Sequence, residues 1–300
     1  MNRQSQKKMI IVGMGERAMI YAKEALAHPE LFRIVGVVDV RPEHGLSFYI
    51  ETEGNRILCD MGASGMFLDN ARQMSIDLFC TDWAFVSHGH ADHTGGLLEY
   101  LNTFENSDVY LSNKVFDAKY FSSRRGLKRD ISTQALISQT FQNRLRFVCE
   151  SIWITPFIAA VYTDIHDYSQ PYGNRFLTKV VGHEETLDDF SHELSLAIQT
   201  PKGLVIVSSC SHGGAVNIMK SCCKFTGADT VYAFIGGLHL VESESMAQEV
   251  QALSEELLNN YPAVQIYTGH CTCDAAKEAL KEKGLNIHFF RTGERIALPG

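Results

Sequence analysis

The most chemically dense stretch of the sequence is residues 85–96, FVSHGHADHTGG. It places His88, His90, Asp92 and His93 within six consecutive residues, directly after an apolar run. Zinc and iron sites in proteins need several neutral imidazoles or carboxylates that converge to ~2.0–2.3 Å from the ion. A polar surface loop has no physical need of such a density of ligand side chains. The string therefore predicts a metal site.

The spacing within this string predicts two metal positions. His88 and His90 are two residues apart, so in an extended backbone their side chains project the same way and can share one ion. Asp92 and His93 follow at once and can turn toward a second ion.

Several predicted elements must position these side chains. The apolar run WAFVS is a buried strand that ends at the histidine string, and GGLLEYLNTF is a helix behind it. Upstream, LSFYIETEGNRILCDMG predicts two strands joined by a tight turn, with Asp60 at the end of the second, and MFLDNARQM predicts a short helix. Downstream, ELSLAIQTPKGLVIVSSCSHGG predicts a hairpin that turns at residues 201–203.

The remaining segments complete the fold prediction. AVNIMKSCCKF, ESMAQEVQALSEELLNNY and DAAKEALKEKG predict helices, whereas TVYAFIGG and VQIYTGHC predict strands. Residues 105–185 show a less regular pattern. Strands alternate with helices on both sides of this middle region, which indicates an α/β (α+β) chain. We expect an αββα sandwich, in which two mixed β-sheets pack together with helices outside.

The first 43 residues have a different character. Gly13, Gly15 and Ala18 follow an apolar strand with the spacing of a dinucleotide-binding turn, and Asp39 ends a second strand roughly 20 residues later. This segment is similar to the start of oxidoreductases of the glucose–fructose oxidoreductase family, and the similarity ends near Glu43.

One βαβ unit cannot form a full dinucleotide crevice, which needs neighbouring strands of the same sheet. We therefore expect residues 1–43 to be an appended Rossmann-like segment and residues 44–300 to be the main domain. Residues 33–40 could alternatively supply an edge strand of that domain. Titration with NAD(H) tests the remaining alternative, a nucleotide-binding module.

Composition narrows the class of protein. The chain has 300 residues, of which 45% are hydrophobic and 21% charged, and a formal net charge of −8. This charge argues against a general binder of nucleic acids or anionic membranes. No apolar run approaches the ~20 residues of a transmembrane helix, and the N-terminus lacks a signal-peptide pattern. The eight cysteines form no compact disulfide framework, so we expect a reducing, cytoplasmic location.

From residue 44 to residue 300 the chain resembles the metallo-β-lactamase superfamily. The opening histidine string and the strand end LCDMG carry this resemblance. Within the superfamily the chain looks similar to the dihydropterin–ribofuranosylaminobenzene 5′-phosphate synthases. The matching stretches are EHGLSFYIET, HGHADHTGG, DDFSHELSLAI, SSCSHGGAVNI, IGGLHL and TGHCT. These matches occur in one order along the chain, but they do not fix the substrate.

The resemblance implies a dinuclear metal site between the edges of two sheets. His88 and His90 would hold one ion, while Asp92 and His93 would hold the other. His270, which follows the strand VQIYTG, matches the last ligand of the superfamily and would complete the second position. The alternative for His270 is a capping or core histidine.

The third ligand of the first position and the bridging ligand are left open. His192 precedes a strand pair, as the third histidine of the superfamily does. Cys210 falls where a bridging aspartate is expected, and His212 lies on the same loop, as a ligand or as a proton donor. A thiolate at Cys210 would favour zinc or iron over magnesium. Asp60 would orient an imidazole from behind the site.

Two further features are ambiguous. His239, which follows the strand of IGGLHL, either lines the pocket or packs in the protein interior. The segment NKVFDAKYFSSRRGLKRD is basic and lies where superfamily members carry substrate-binding insertions. It is either a phosphate-binding segment or a solvated charged face. Its basic residues are Lys114, Lys119, Arg124, Arg125, Lys128 and Arg129.

The predicted function is metal-dependent hydrolysis. Two divalent cations would lower the pKa of a shared water, and Asp92 or His212 would handle the proton. We expect zinc as the metal, with iron or manganese as alternatives. We also expect a small, phosphorylated substrate, for which a pterin-related compound is one candidate. No nucleic-acid or membrane partner is expected, and a homo-oligomer is left open. The alternatives are a diiron redox enzyme and a non-catalytic metal- or nucleotide-binding protein.

Overall fold

A computed structural model describes residues 7–12, 32–38, 42–52 and 54–298 of the chain. The strands are β1 (Lys7–Val12), β2 (Phe32–Val38), β3 (Phe48–Thr52), β4 (Asn55–Cys59), β5 (Trp83–Phe85), β6 (Asp108–Ser112), β7 (Lys119–Ser122), β8 (Arg129–Asp130), β9 (Leu145–Val148), β10 (Ile152–Trp153), β11 (Ile158–Tyr162), β12 (Leu177–Val181), β13 (Glu184–Leu187), β14 (Leu194–Thr200), β15 (Gly203–Val207), β16 (Val231–Gly236), β17 (Gln265–Thr268) and β18 (Ile287–Phe289). The helices are α1 (Met66–Gln73), α2 (Ala91–Thr94), α3 (Leu97–Thr103), α4 (Leu136–Thr140), α5 (Ala215–Thr226), α6 (Met246–Asn260) and α7 (Asp274–Lys281).

Two large mixed sheets form the centre of the molecule. The first has five strands in the order β3-β4-β5-β6-β9, antiparallel in the β3–β4 hairpin and parallel from β4 onward. The second has seven strands in the order β10-β11-β14-β15-β16-β17-β18, and its strands are parallel from β15 to β18. Parallel strands end at the same edge of a sheet, so each sheet presents several strand ends together.

Three apolar layers hold these sheets and the helices together. Phe85 and Ile57 of the first sheet meet Leu196 and Val207 of the second in a core between the sheets. Helices α1 and α3 cover the outer face of the first sheet, and α5, α6 and α7 cover that of the second. This arrangement confirms the predicted αββα sandwich. The periodicity of each amphipathic helix and each buried strand made it predictable.

The middle of the chain contributes a third sheet that the sequence pattern did not predict. It has four strands in the order β13-β12-β7-β8, all antiparallel. Its strands are short and largely exposed on one face, so the hydrophobic alternation is weak. This sheet matters for the site because it carries the loops that reach the histidine cluster.

The N-terminal segment is described only at its two strands. β1 and β2 pair in parallel, as a βαβ unit requires, and among the described strands they form a sheet of their own. The described β2 is therefore not an edge strand of either large sheet. The intervening helix and the residues Gly13, Gly15, Ala18 and Asp39 lie outside the described residues. Among the described helices, none combines the length and apolarity that a membrane span requires.

Candidate metal centre

The predicted site residues lie at strand ends on one edge of the sandwich. Asp60 directly follows β4, and the string that begins at His88 follows β5 of the same sheet. His212 lies beyond the end of β15 and His270 two residues beyond β17, in the other sheet. Because both sets of parallel strands end on this edge, residues 177 positions apart in sequence meet there.

The backbone is strained at this edge. Of the six non-glycine residues with positive φ among the described ones, five border the site: Asp60, Phe190, Ser211, His239 and His270. Such conformations cost free energy and persist where surrounding structure enforces them, which is common at functional sites.

Two glycines of the opening motif have a steric role. A Cβ at Gly95 would overlap the carbonyl of Ala63, and one at Gly96 would overlap the carbonyl of Met61. These glycines let the start of α3 pack directly against the loop after Asp60. The close approach holds the histidine string against the end of β4.

The first ligand cluster contains His88, His90 and His212. Their candidate ligand atoms all lie within 4.8 Å of one another, and all three side chains are buried. The Nε2 atoms of His88 and His212 are buried without a hydrogen-bond partner. A buried polar atom without a partner costs about 1–3 kcal/mol. A metal ion fits this donor set, because it would take up both lone pairs.

The second cluster contains Asp92, His93 and His270, again within 4.8 Å. Nε2 of His93 lies 3.1 Å from Nε2 of His270, and Asp92 Oδ2 lies 3.7 Å and 3.6 Å from these two atoms. Cys210 Sγ lies 3.2 Å from His93 Nε2. Cys210 also clusters with His88 and His93, so its thiol lies between the two ligand groups.

Asp60 holds two of the histidines through their remaining ring nitrogens. Its carboxylate accepts a hydrogen bond from Ser87 Oγ at 2.7 Å, and Ser87 Oγ in turn contacts His88 Nδ1 at 2.8 Å. The same carboxylate lies 2.8 Å from His93 Nδ1. Such a contact fixes the tautomer and the direction of a metal-binding imidazole. Asp60 thus contacts His93 directly and His88 through Ser87.

Two other side chains orient the remaining histidines of the first cluster. Asp188 Oδ2 lies 3.2 Å from His90 Nε2. Asn174 contacts His212 twice, since its Oδ1 lies 3.0 Å from His212 Nδ1 and its Nδ2 donates to the His212 carbonyl at 2.8 Å. His90 and His212 therefore each have one ring nitrogen held by a side chain of the protein.

The ring of His192 contacts two other groups of the protein. Its Nδ1 accepts the Gly89 amide at 2.9 Å, and its Nε2 lies 3.2 Å from Asp188 Oδ2. It lies in a compact group with His90 and Asp188. Both ring nitrogens of His192 are therefore engaged by the protein, whereas Nε2 of His212 has no hydrogen-bond partner. His192 supports the loop that carries His90.

Four polar residues of the site were missed by the sequence analysis: Ser87, Asn174, Asp188 and Glu193. Glu193 accepts the amides of His212 and Gly213, both at 2.8 Å, and so fixes the loop after Cys210. Burial raises the pKa of Glu193 to about 7, although those two amide bonds act in the opposite direction. The adjacency of Ser87, Asp188 and Glu193 to the histidine motifs was an available signal, whereas Asn174 had none.

The electrostatics of the site keep most imidazoles neutral. Burial, followed by the neighbouring histidines, holds the pKa of His88 and of His212 well below the usual value. Burial and His93 lower the pKa of His270 to about 3. At His93 burial also lowers the pKa, but Asp92 and Asp60 outweigh it and raise the pKa to about 9. Neutral imidazole is the form that binds a metal ion.

These shifts predict that the chelator-treated protein loses stability in mild acid. A histidine with a lowered folded pKa stabilises the fold above about pH 6.5. That contribution falls by about 1 kcal/mol per pH unit as the pH drops below 6.5. The raised pKa of Glu193 has the opposite effect on stability between about pH 4.5 and 7, because its protonated form is favoured in the folded protein. The histidines with a lowered pKa outnumber it: they are His88, His212, His239 and His270. Urea unfolding in chelator at pH 7 and pH 5.5 measures the effect; equal stability would contradict it.

Cys210 provides a test of the bridging position. Replacing Cys210 by Asp should shift the metal preference at least about tenfold from zinc toward manganese, because a carboxylate is a harder ligand than a thiolate. Competitive loading with both metals, read by elemental analysis, measures the ratio. Cys149→Ser, at an exposed cysteine, is the matched control. An unchanged ratio in Cys210→Asp would exclude Cys210 as a ligand.

Two aromatic neighbours border the first cluster. The Phe190 ring stacks on His212 with centroids 4.3 Å apart, and the His239 ring packs on the same histidine at 4.4 Å. His239 is therefore part of the site's wall. A separate cavity of about 1160 Å³ runs along β3 and reaches the site at His44 and His270.

Comparison with known proteins agrees with this architecture. The model of the metallo-beta-lactamase superfamily matches residues 40–209. The chain belongs to the metallo-β-lactamase superfamily. The matched residues include the opening histidine string and the end of β15.

Similar proteins extend the match beyond that range. A curated relative from Methanocaldococcus jannaschii, named 7,8-dihydropterin-6-methyl-4-(beta-D-ribofuranosyl)-aminobenzene-5′-phosphate synthase, is 29% identical over 263 residues, covering 80% of this chain and 85% of the relative. An uncharacterized protein of the same organism is 24% identical over 203 residues, covering 66% and 73%. A crystal structure described as a metal-dependent hydrolase of the beta-lactamase superfamily has a TM-score of 0.72 at 25% identity, covering 87% of this chain and 94% of that one.

Proposed function

We propose that this protein is a metal-dependent hydrolase that cleaves a phosphoester or pyrophosphate bond in a small molecule, with two divalent cations held between the sheets. His88, His90 and His212 would hold the first cation, and Asp92, His93 and His270 the second, with the Cys210 thiol between them. The observation that carries the proposal is the pair of buried, unpartnered Nε2 atoms of His88 and His212. They belong to histidines whose other nitrogen is tied back to the protein.

Two bound cations would supply an activated water and would polarise the substrate oxygen that they face. The protein's own contribution is to orient the imidazoles and to supply a charged carboxylate at the site. Asp60, Asp188 and Asn174 fix the imidazoles from behind, and so the site is organised before a substrate arrives. Asp92 is the group placed to accept a proton, because it is the least buried member of either cluster. His212 is better suited to bind a cation than to carry a proton, since its Nδ1 is held by Asn174.

The acceptor need not be water in every member of the superfamily. The relative named above is called a synthase, and its name contains a pterin and a 5′-phosphate. A second candidate function is therefore displacement at the same phosphorus or carbon by an organic nucleophile. The site geometry described here serves both reactions, because both need a polarised ester and stabilised negative charge.

The test is turnover of a panel of phosphomonoesters, phosphodiesters and pyrophosphates by protein loaded with zero, one or two equivalents of zinc or manganese. We expect activity to follow metal loading. Reaction in ¹⁸O-water separates the two candidates, since hydrolysis places one ¹⁸O atom in a product and displacement by an organic nucleophile places none. Equal turnover with and without metal would overturn the proposal.

A further inference from the structure

The loops after three neighbouring strands of the seven-stranded sheet bring two thiols together. The strands β15, β16 and β17 lie side by side and run parallel. Cys210 lies in the loop after β15, and Cys271 lies three residues beyond β17. Their sulfurs and a ring nitrogen of His270 all lie within 4.8 Å of one another. This group is a third set of candidate ligands, and Cys271 is the member that the proposed function leaves unused.

The end of β16, the strand between them, leaves room for the two thiols to meet. Adjacent strands of a sheet are about 4.8 Å apart, so side chains that follow β15 and β17 approach each other only across the end of β16. Gly237 lies there, and a Cβ at this position would overlap Cys271 Sγ. The Gly237 amide donates to the Ser209 carbonyl at 2.8 Å, which holds the loops after β15 and β16 together. The space that a side chain at residue 237 would need is therefore taken by the Cys271 sulfur.

The backbone also orients the sulfur of Cys271. The His239 amide donates to Cys271 Sγ at 3.3 Å. Amide donors of this kind stabilise a negatively charged sulfur and support metal–thiolate bonds. Cys210 Sγ lies 3.2 Å from His93 Nε2, which is itself 3.1 Å from His270 Nε2. The pair of thiols therefore adjoins the second ligand cluster.

We infer that Cys271 is a thiolate ligand of the second cation, together with Cys210 and His270. This inference rests on the proposed function for the existence of that cation, but it requires no hydrolytic activity. Two thiolates and an imidazole suit zinc and other borderline or soft cations, whereas manganese and magnesium prefer oxygen ligands. His270 belongs to both ligand sets, so the thiolates would share the cation with Asp92 and leave that carboxylate freer to accept a proton.

The test is the absorption spectrum of cobalt(II)-loaded protein that is kept reduced and free of oxygen. Cobalt(II) substitutes for zinc, and each bound thiolate adds intensity to a sulfur-to-cobalt charge-transfer band in the near ultraviolet. Cys271→Ser and Cys271→Ala should each lower this band by about half or more, as Cys210→Ser should, because one of two thiolates is lost. Cys273→Ser is the matched control, since the Cys273 thiol contacts Met246 Sδ at 3.7 Å instead, and it should leave the band unchanged.

The spectrum distinguishes a ligand from a residue that only orients other ligands. Loss of an orienting group weakens metal binding by about 10–100-fold but leaves the band intact at saturating cobalt(II). Circular dichroism confirms that each variant is folded. Absence of the band in the unaltered protein, an unchanged band in the Cys271 variants at saturation, or an equal loss in Cys273→Ser would overturn the inference. Lack of activity on the phosphoester panel with a normal Cys271-dependent band would overturn the hydrolase alone, because the spectrum is recorded without substrate.

Discussion

His90→Ala is expected to lose about one equivalent of zinc per chain and to lower kcat/KM by about a thousandfold or more. That loss corresponds to about 4 kcal/mol of transition-state stabilisation. The physical reason is that the first cluster retains only His88 and His212 as nitrogen ligands, and two imidazoles bind zinc much more weakly than three. Elemental analysis of the purified variant and turnover of the phosphoester panel measure the two effects.

The matched control for this variant is His183→Ala. His183 is exposed and lies in the turn between β12 and β13, in the four-stranded sheet. It should keep full zinc content and full activity. Circular dichroism and thermal unfolding must show that His90→Ala is folded. A folded His90→Ala protein with normal zinc content and normal turnover would contradict the assignment of His90 as a ligand of the first metal position.

Asp60→Asn should destabilise the protein by about 3 kcal/mol and weaken metal binding by about 10–100-fold. The carboxylate is fully buried and accepts three hydrogen bonds, from the Ser87 amide, from Ser87 Oγ and from His93 Nδ1. An amide group keeps one acceptor oxygen and presents N–H donors to groups that are donors themselves. Breaking a buried charged pair costs about 3–5 kcal/mol, and loss of an orienting carboxylate lowers metal affinity.

Asparagine is the informative replacement because Asp60 has φ 59°, a left-handed conformation that asparagine tolerates. Urea unfolding in chelator measures the stability, and competition with a fluorescent chelator measures zinc affinity. Asp69→Asn, at an exposed aspartate that pairs with Arg72, should change neither quantity measurably. If Asp60→Asn lowered stability but left zinc affinity intact, Asp60 would be a folding residue alone.

The third ligand of the first position illustrates where sequence reasoning stopped. By order along the chain, His192 occupies the place of a ligand before a strand pair. Its ring nitrogens, however, are both taken by Gly89 and Asp188. The decision depends on how the loop before β14 packs against the histidine string, and that contact joins residues about 100 positions apart. No local pattern encodes a contact of that range.

The residues that contact the imidazoles from behind also differ in whether the sequence could predict them. Asp60 was predictable because it ends a strand next to the histidine string, and strand order in a parallel sheet follows from short connections. Asn174 was not predictable, since it lies in an irregular region whose sheet has weak alternation.

The sequence by itself determined the sandwich fold and the grouping of four candidate ligands on one short stretch. Those features are local: hydrophobic periodicity within each element, and His88, His90, Asp92 and His93 on one short stretch. Only the tertiary structure brought His212 together with His88 and His90, placed Cys210 beside His93, and set Asp188 and Asn174 against the imidazoles. These outcomes depend on where the strand ends of two different sheets meet, and packing between distant segments sets that meeting.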